Sequence, residues 1–301
     1  MTVGALPRPS RLRERFIEGL LFLAAAVGVA TTVGIIVVLA VESFQFFREV
    51  DPVAYLSGTV WSASIRPYQF GVLPLVVSTL MVAVLALAVA VPLGLLAAVY
   101  LAEYASTRTR DLLKQILELL AGIPTIVLGF FAITVISPFL RATVLPSLGP
   151  FSALAAGIVV GLLVLPVVAT LSEDAMRAVP RALREGSLAL GATRFETIRK
   201  VVLPAALSGV MASIILAGSR AIGETMAVVL AAGTSPILTL DPRDSVQTMT
   251  AFIVQISLGD TPQQSIQFKA LFAVGATLFL MTLGLNLLSD WLVRRFRNVY
   301  E

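Results

Sequence analysis

An all-α, polytopic membrane protein with six transmembrane helices is the fold this sequence predicts, on three observations. Of its 301 residues 57% are hydrophobic and only 13% charged, with mean hydropathy +0.93. A soluble domain would carry about 25% charged residues. Uncharged runs recur that reach the roughly 20 residues a helix needs to cross hydrocarbon. Finally, Lys and Arg crowd into alternate inter-run segments, the pattern expected when alternate loops face the cytoplasm. No soluble domain or fixed-period repeat is visible, so one transmembrane domain over 19–293 is expected.

Taken in order, residues 1–18 form a cytoplasmic segment and Gly19–Val41 the first crossing. That run is longer than the roughly 7–15 residues of a secretory core, so it stays as an anchor. Phe44, Phe46, Phe47, Tyr55 and Trp61 follow, a set that suits an aromatic belt at the outer membrane surface or a short surface helix. Pro67–Ala102 holds the second crossing and Leu119–Leu140 the third, with Glu103 and Glu118 at helix ends in solvated or lipid-facing roles. The fourth lies within Ala142–Ser172, starting near Phe151 after the turn-rich Pro146-Ser147-Leu148-Gly149-Pro150.

Glu173–Leu203 is the most organised polar segment. Pro180 fits the start of a short helix Arg181–Leu190, and Gly191 fits the left-handed residue that ends it. Thr193-Arg194-Phe195-Glu196 has capping-box spacing, with Phe195, Ile198 and Val202 on one face of a second short helix. Pro204–Gly233 is the fifth crossing, Thr234–Gln267 a polar external loop with a single helical turn, and Ala270–Ser289 the sixth crossing. Gly28, Gly34, Gly157, Gly161, Gly275 and Gly284 are expected to let helices pack closely.

With six crossings the termini share a side. Sixteen Lys and Arg fall on that side and five on the other, Arg220 lying between, so both termini are predicted cytoplasmic. The chain has no Cys and no His, which removes disulfides and the usual metal ligands. It has no Gly-x-x-x-x-Gly-Lys-Ser/Thr phosphate loop and no nucleophile–base set, so neither ATP binding nor enzymatic chemistry is expected. No isolated basic patch points to nucleic acid.

Arg220-Ala221-Ile222-Gly223-Glu224 sets two charges one helical turn apart inside the fifth run. A charge at mid-bilayer costs about 2.5–3.5 kcal/mol even on lenient insertion scales, so such residues face a bundle interior or an aqueous route. An intrahelical pair returns only about 0.2–0.5 kcal/mol, and Arg before Glu is the weaker order. A route for something polar explains the pair better than mutual neutralisation does. The guanidinium offers five donors in a planar fork suited to oxyanions. Glu224 can accept a hydrogen bond from a protonated oxyanion, or hold Arg220 in place when none is bound. A single arginine does not neutralise a dianion, so a second cation from a partner subunit is expected.

Glu185-Gly186-Ser187, then Gly191 six residues after the glutamate, then Val201-Val202-Leu203-Pro204, resembles the EAA loop of permease subunits from ATP-binding-cassette importers. That pattern runs glutamate, two small residues, a glycine, then aliphatic-x-Leu-Pro; Gly186-Ser187 stand here for Ala-Ala. The resemblance implies a type I (MetI-like) permease bundle with its core at about 67–293 and a coupling loop at 173–203. Glu185, Gly186, Ser187, Gly191, Leu203 and Pro204 would then serve contact with a cytoplasmic ATPase subunit.

Leu183–Leu203, Arg220–Val229, Glu118–Thr125, Pro92–Gly94 and Tyr100–Tyr104 look, more narrowly, like the PstC-type permease of the phosphate-specific importer. The sister permease of that system has Glu-Thr-Ala-Pro where this chain reads Glu224-Thr225-Met226-Ala227, and sulfate or molybdate permeases continue Phe-Gly-Ala. The resemblance implies inorganic phosphate as substrate, with the pathway at Arg220, Glu224 and Thr225; apart from it, Pro124 kinks its hydrophobic run and frees carbonyls, an ordinary feature of bundles that makes Gly122, Pro124 and Thr125 a candidate gate. The resemblance also implies four kinds of neighbour: a PstA-type second permease, two PstB-type ATPase subunits that hold ATP and Mg, a PstS-type external phosphate-binding protein, and the lipid bilayer. No cofactor is expected on this chain, which would lie in a bacterial or archaeal cytoplasmic (inner) membrane and work by alternating access. The alternatives are a permease for another oxyanion, sulfate or molybdate, or an ion-coupled carrier or channel. Broken helices or inverted repeats would favour the last, and the sequence shows neither.

Overall fold

A computed structural model of the chain describes residues 11–63 and 65–296. Much of the predicted segment 1–18, with Arg8, and the C-terminal Arg297 lie outside the described residues. Helix α1 runs from Arg11 to Phe47, a longer first crossing than the apolar run alone suggests. A short helix α2 (Pro52–Ser57) and a two-stranded hairpin follow, β1 (Trp61–Ser62) pairing antiparallel with β2 (Gln69–Phe70). Helix α3 (Leu73–Val99) continues as a π-helical turn Tyr100–Tyr104 to make the second crossing.

The third crossing is shifted from its predicted start. Ser106 caps α4 (Thr107–Ala121) by accepting from the Thr109 N–H at 3.3 Å, and the apolar run begins inside this amphipathic helix. The membrane-length stretch is Thr125–Thr143, built from α5 (Thr125–Phe131), a π-helical segment Ala132–Ile136 and α6 (Ser137–Thr143). Helix α7 (Ala153–Arg177) is the fourth crossing, with Ser152 as its N-cap. The polar segment that follows gives α8 (Arg181–Ala189), α9 (Arg194–Thr197), a π-helical run Ile198–Val202 and one turn, α10 (Leu203–Ala205). Helix α11 (Leu207–Gly223) leaves that segment at a bend of 71°. It is followed by α12 (Met226–Ala232), α13 (Met249–Leu258) and α14 (Ile266–Phe296).

Among the described residues five helical stretches are long and apolar enough to cross a membrane, six when the bent α9–α11 segment is counted as one span. α7 is the axis: α3, α5, α11 and α12 all pack on it, and Val159, Val160, Leu163 and Val164 are fully buried there. Gly157 and Gly161, one turn apart on α7, let α3 approach so closely that an added Cβ would stand 2.4 Å from Leu85 and 2.8 Å from the Ala86 carbonyl. Gly28, Gly34 and Gly284 have open space where a Cβ would be, so the packing role expected of them is not seen.

At the end predicted to face outward, the expected aromatic belt is instead a folded cap. Phe46, Tyr55 and Trp61 are at most 3% exposed; Tyr55 meets Phe46 and Trp61, both of these meet Phe70, and Trp61 meets Phe252, all edge to face at ring separations of 4.8–6.5 Å. The hairpin and α13 supply the apolar faces that a membrane surface would otherwise have offered. Tyr55 Oη shares a hydrogen bond with Thr277 Oγ1 at 2.9 Å, and burial pushes its phenol pKa up. Only Phe44 of that set stays largely exposed, under the Arg48 guanidinium. Ten-residue α13 also replaces the single turn expected between the fifth and sixth crossings.

Candidate functional site

The fifth crossing stops being helical at the point where the sequence set its charges. α11 ends at Gly223, Glu224 is extended (φ −64°, ψ 134°), and α12 begins at Met226. A break in a helix orphans backbone groups, and three of them find other partners here. The Glu224 carbonyl accepts from Thr250 Oγ1 of α13 at 2.9 Å, and the Gly223 carbonyl from Thr225 Oγ1 at 3.1 Å. The Ala227 N–H donates to the Glu224 carboxylate at 3.4 Å, which sets that negative charge at the N-terminal end of α12.

Two sequence expectations change with this geometry. Span five is a broken helix, not one run, so one of the two features expected of an ion-coupled carrier or channel is present although the sequence did not show it. Glu224 does not hold Arg220: among the described residues Arg220 forms no ion pair or hydrogen bond, and its side chain is exposed in the last turn of α11. The arrangement is a guanidinium free to meet an anion, next to a carboxylate and the Thr225 hydroxyl at an interrupted helix.

The second site is the polar loop. Gly191 has φ +87°, and the Ala192 N–H reaches the Ser187 carbonyl at 3.2 Å while the Gly191 N–H reaches Leu188 at 3.0 Å. That double bond pattern closes α8 with a left-handed residue, which a side chain would strain. The capping box forms: the Glu196 N–H donates to Thr193 Oγ1 and the Thr193 N–H to the Glu196 carboxylate. That backbone bond, then the Thr193 hydroxyl and Lys200, hold the Glu196 carboxyl below its ordinary value. No residue of α8 is buried, Glu185 and Gly186 are exposed, and a Cβ on Gly186 would meet nothing within 4 Å. Ser187 faces inward to share a hydrogen bond with Thr197 at 2.9 Å. Leu203 and Pro204 lie in α10, the turn that leads into the 71° bend.

The third set sits where α4 meets α5. Gly122 ends α4, Pro124 (φ −57°, ψ 131°) precedes α5 and Thr125 opens it. Gly122 and Pro124 border an open groove of about 650 Å³ with Gln115, Glu118, Leu119 and Ile123. Helix α5, which Thr125 opens, packs on α12, the helix that follows the break at Glu224.

Two ion-pair clusters and one hydroxyl were missed or misread. Glu103 is not solvated: it forms an ion pair with Arg184 of α8 at 3.1 Å, the two side chains 16% and 19% exposed. Glu173, fully buried in α7, pairs with Lys114 of α4 and with Arg177 at 3.5 Å. Burial lowers the Lys114 pKa, but the hydrogen bonds and charges of Glu173 and Asp174 outweigh it and leave it raised. Thr250 ties α13 to the break. A four-residue spacing from Glu173 to Arg177 was readable in sequence; the cross-element partners were not. Among the described residues there is no group of three or more His, Cys, Asp or Glu that could hold a metal ion.

Comparison with known proteins agrees with this layout. Residues 90–298 match the family described as binding-protein-dependent transport system inner membrane component. The chain is 36% identical over 273 residues, 90% of its length and 88% of the other protein, to the probable ABC transporter permease protein YqgH of Bacillus subtilis. It is 33% identical over 248 residues, 75% of its length and 73% of the other, to the phosphate transport system permease protein PstC 1 of Mycobacterium bovis. A chain of the bacterial alginate ABC transporter, solved with an alginate pentasaccharide-bound periplasmic protein, superposes with a TM-score of 0.66 at 15% identity, covering 96% of this chain and 97% of that one. The fold is therefore the MetI-like importer bundle, and the chain belongs to the binding-protein-dependent transport system inner membrane components, the ABC importer permeases, with PstC permeases among its relatives.

Proposed function

We propose that this chain is the PstC-type subunit of an importer that moves inorganic phosphate into the cytoplasm. The observation that carries the reading is Arg220, an exposed and unpaired guanidinium at the end of α11, beside the interrupted helix at Glu224–Thr225. A fixed, always-charged fork in an otherwise apolar run is suited to a tetrahedral oxyanion. Glu224 and Thr225 supply the acceptor and hydroxyl that a still-protonated phosphate can use. Relatives named as phosphate transport permeases support phosphate over other oxyanions.

The chain works, on this reading, with a homologous PstA-type permease, two cytoplasmic ATPase subunits and an external phosphate-binding protein. The Lys and Arg bias supports cytoplasmic termini, which sets α8 on the ATPase side with Glu185, Gly186 and Ser187 exposed or near the surface for docking. Gly122, Pro124 and Thr125, at the α4–α5 discontinuity, act as the gate. ATP closes the ATPase pair, α8 moves, and the bundle alternates between its two openings.

Phosphate uptake in cells deprived of their own importer, supplied with this chain and its neighbouring subunits, tests the reading. Wild type restores phosphate but not sulfate uptake. Arg220→Gln lowers it by about 10- to 100-fold, the loss expected for a charge-assisted contact. Equal uptake by Arg220→Gln would remove the pathway role, and restoration of sulfate uptake in place of phosphate would move the chain to another oxyanion.

A further inference from the structure

The link between α8 and the rest of the molecule is narrow. No side chain of α8 is buried, and its Ser187 bonds only within the loop, to Thr197. Besides the Ser187–Thr197 bond into the α9 end of the bent span, Arg184 alone among the described residues carries a side-chain bond from α8 to a membrane-crossing helix. It makes two: Nη2 donates to the Met176 carbonyl in the last turn of α7 at 2.6 Å, and the same nitrogen forms the ion pair with Glu103 Oε1 at 3.1 Å. Glu103 belongs to the π-helical end of the second crossing, so one guanidinium joins α8 to spans two and four together.

Those two spans are tightly packed. Besides the Gly157 and Gly161 contacts, a Cβ on Gly94 of α3 would stand 2.8 Å from Val168 of α7, so the helices touch closely at three glycines. α7 is joined in turn to α11 by a buried hydrogen bond between Ser172 and Ser213 at 2.7 Å, and α11 carries Arg220. Side chains half withdrawn from water make the Arg184–Glu103 pair stronger than a surface pair, and Arg184 Nε is buried without a hydrogen-bond partner. The guanidinium is therefore held in place by the two contacts at its other end.

Resting on the reading of α8 as the ATPase-facing helix, we infer that Arg184 and Glu103 are positioning residues that transmit movement of α8 to the pathway. Glu185 and Gly186 would engage the ATPase; Arg184 passes the displacement on. Loss of the pair leaves ATPase binding intact and uncouples it from the bundle.

The chain contains no cysteine, so a single reporter can be introduced. Gly223→Cys suits it, being exposed at the end of α11 with open space for a side chain. In the assembled complex in liposomes, the labelling rate of that thiol is compared with and without ATP plus vanadate. Arg184→Met is expected to cut the ATP-driven change about fivefold or more, the lower end of coupling between distant sites. ATPase subunits still co-purify in normal ratio, and the swapped pair Arg184→Glu with Glu103→Arg recovers most of the change. An undiminished response in Arg184→Met overturns the proposal. So does loss of ATPase binding in that variant, which would make Arg184 a docking residue, a swap that fails to rescue, or a wild-type complex blind to ATP. Phosphate uptake is followed in the same liposomes. A wild type that responds to ATP but carries no phosphate rejects the substrate reading and leaves the Arg184 comparison intact.

Discussion

Buried charge is the costliest thing this chain contains, and at Glu173 the cost is met by two cations of unequal kind. Lys114 reaches it from α4, while Arg177, one turn along α7, is half exposed and 3.5 Å away. Removing one partner of a buried pair leaves an uncompensated charge, whereas removing both leaves an apolar contact. Lys114→Met should therefore lower stability by about 2 kcal/mol, less than the 3–5 kcal/mol typical of such breaks because Arg177 remains. Lys114→Met with Glu173→Leu should recover most of that loss. Thermal unfolding in detergent reads both, and equal destabilisation of the single and double variants would show that the pair contributes nothing specific. The Lys114 pKa is raised on folding, so its contribution is full below the ordinary value of 10.5 and is lost only as pH rises through the higher folded value. The melting difference between wild type and Lys114→Met should accordingly stay flat from neutral pH up to about 10, within the range set by that ordinary ammonium value.

The two glycines of α8 and its turn separate the chain's own requirements from a partner's. Gly191 holds φ +87°, and a Cβ there costs about 1–2 kcal/mol in backbone strain alone. Gly186 has an ordinary helical backbone and empty space around it. Gly191→Ala should lower the stability of the isolated chain, while Gly186→Phe should leave it unchanged and abolish co-purification of the ATPase subunit. ATPase binding by Gly186→Phe at the wild-type level would place the docking surface elsewhere. Gly191 was legible in sequence because its need is local, as were the capping box at Thr193 and, within two residues, the start of α7, expected near Phe151 and found at Ala153. Helix α4 was also within reach: Ser106 precedes Leu112, Leu113, Ile116, Leu117 and Leu120 at helical spacing, but the apolar run beginning at Leu119 masked its end. The break at Glu224 was not legible. Its carbonyl is satisfied by Thr250, 26 residues on, and no window of sequence records that bond.

The whole molecule is asymmetric about its axis: 61% of the most apolar stretch of α7 is buried against 0% of that of α1, so the fold is a core of spans two to five with an outer helix that packs on α14. That core meets the cap at α13. Thr79 Oγ1 of α3 accepts from the Met249 N–H at 3.0 Å, and Thr250 Oγ1 donates to Glu224 at 2.9 Å, so the first turn of α13 is held by spans two and five together. A conformational cycle that changes the break in span five must therefore move α13 or release it. Each of these hydrogen bonds contributes about 1 kcal/mol. With independent effects, Thr79→Val plus Thr250→Val shifts the equilibrium of α13 docking by roughly 30-fold. Limited proteolysis from the outer face of membrane vesicles should then cut the Thr234–Gln267 connection faster in the double variant than in either single one, with ATPase co-purification unchanged. Maximal uptake should fall in parallel, because a loosened α13 no longer reports the state of Glu224. Cleavage and uptake both at wild-type rates would mean that the cap and the pathway move independently, and that the bonds from α13 fix only its resting place.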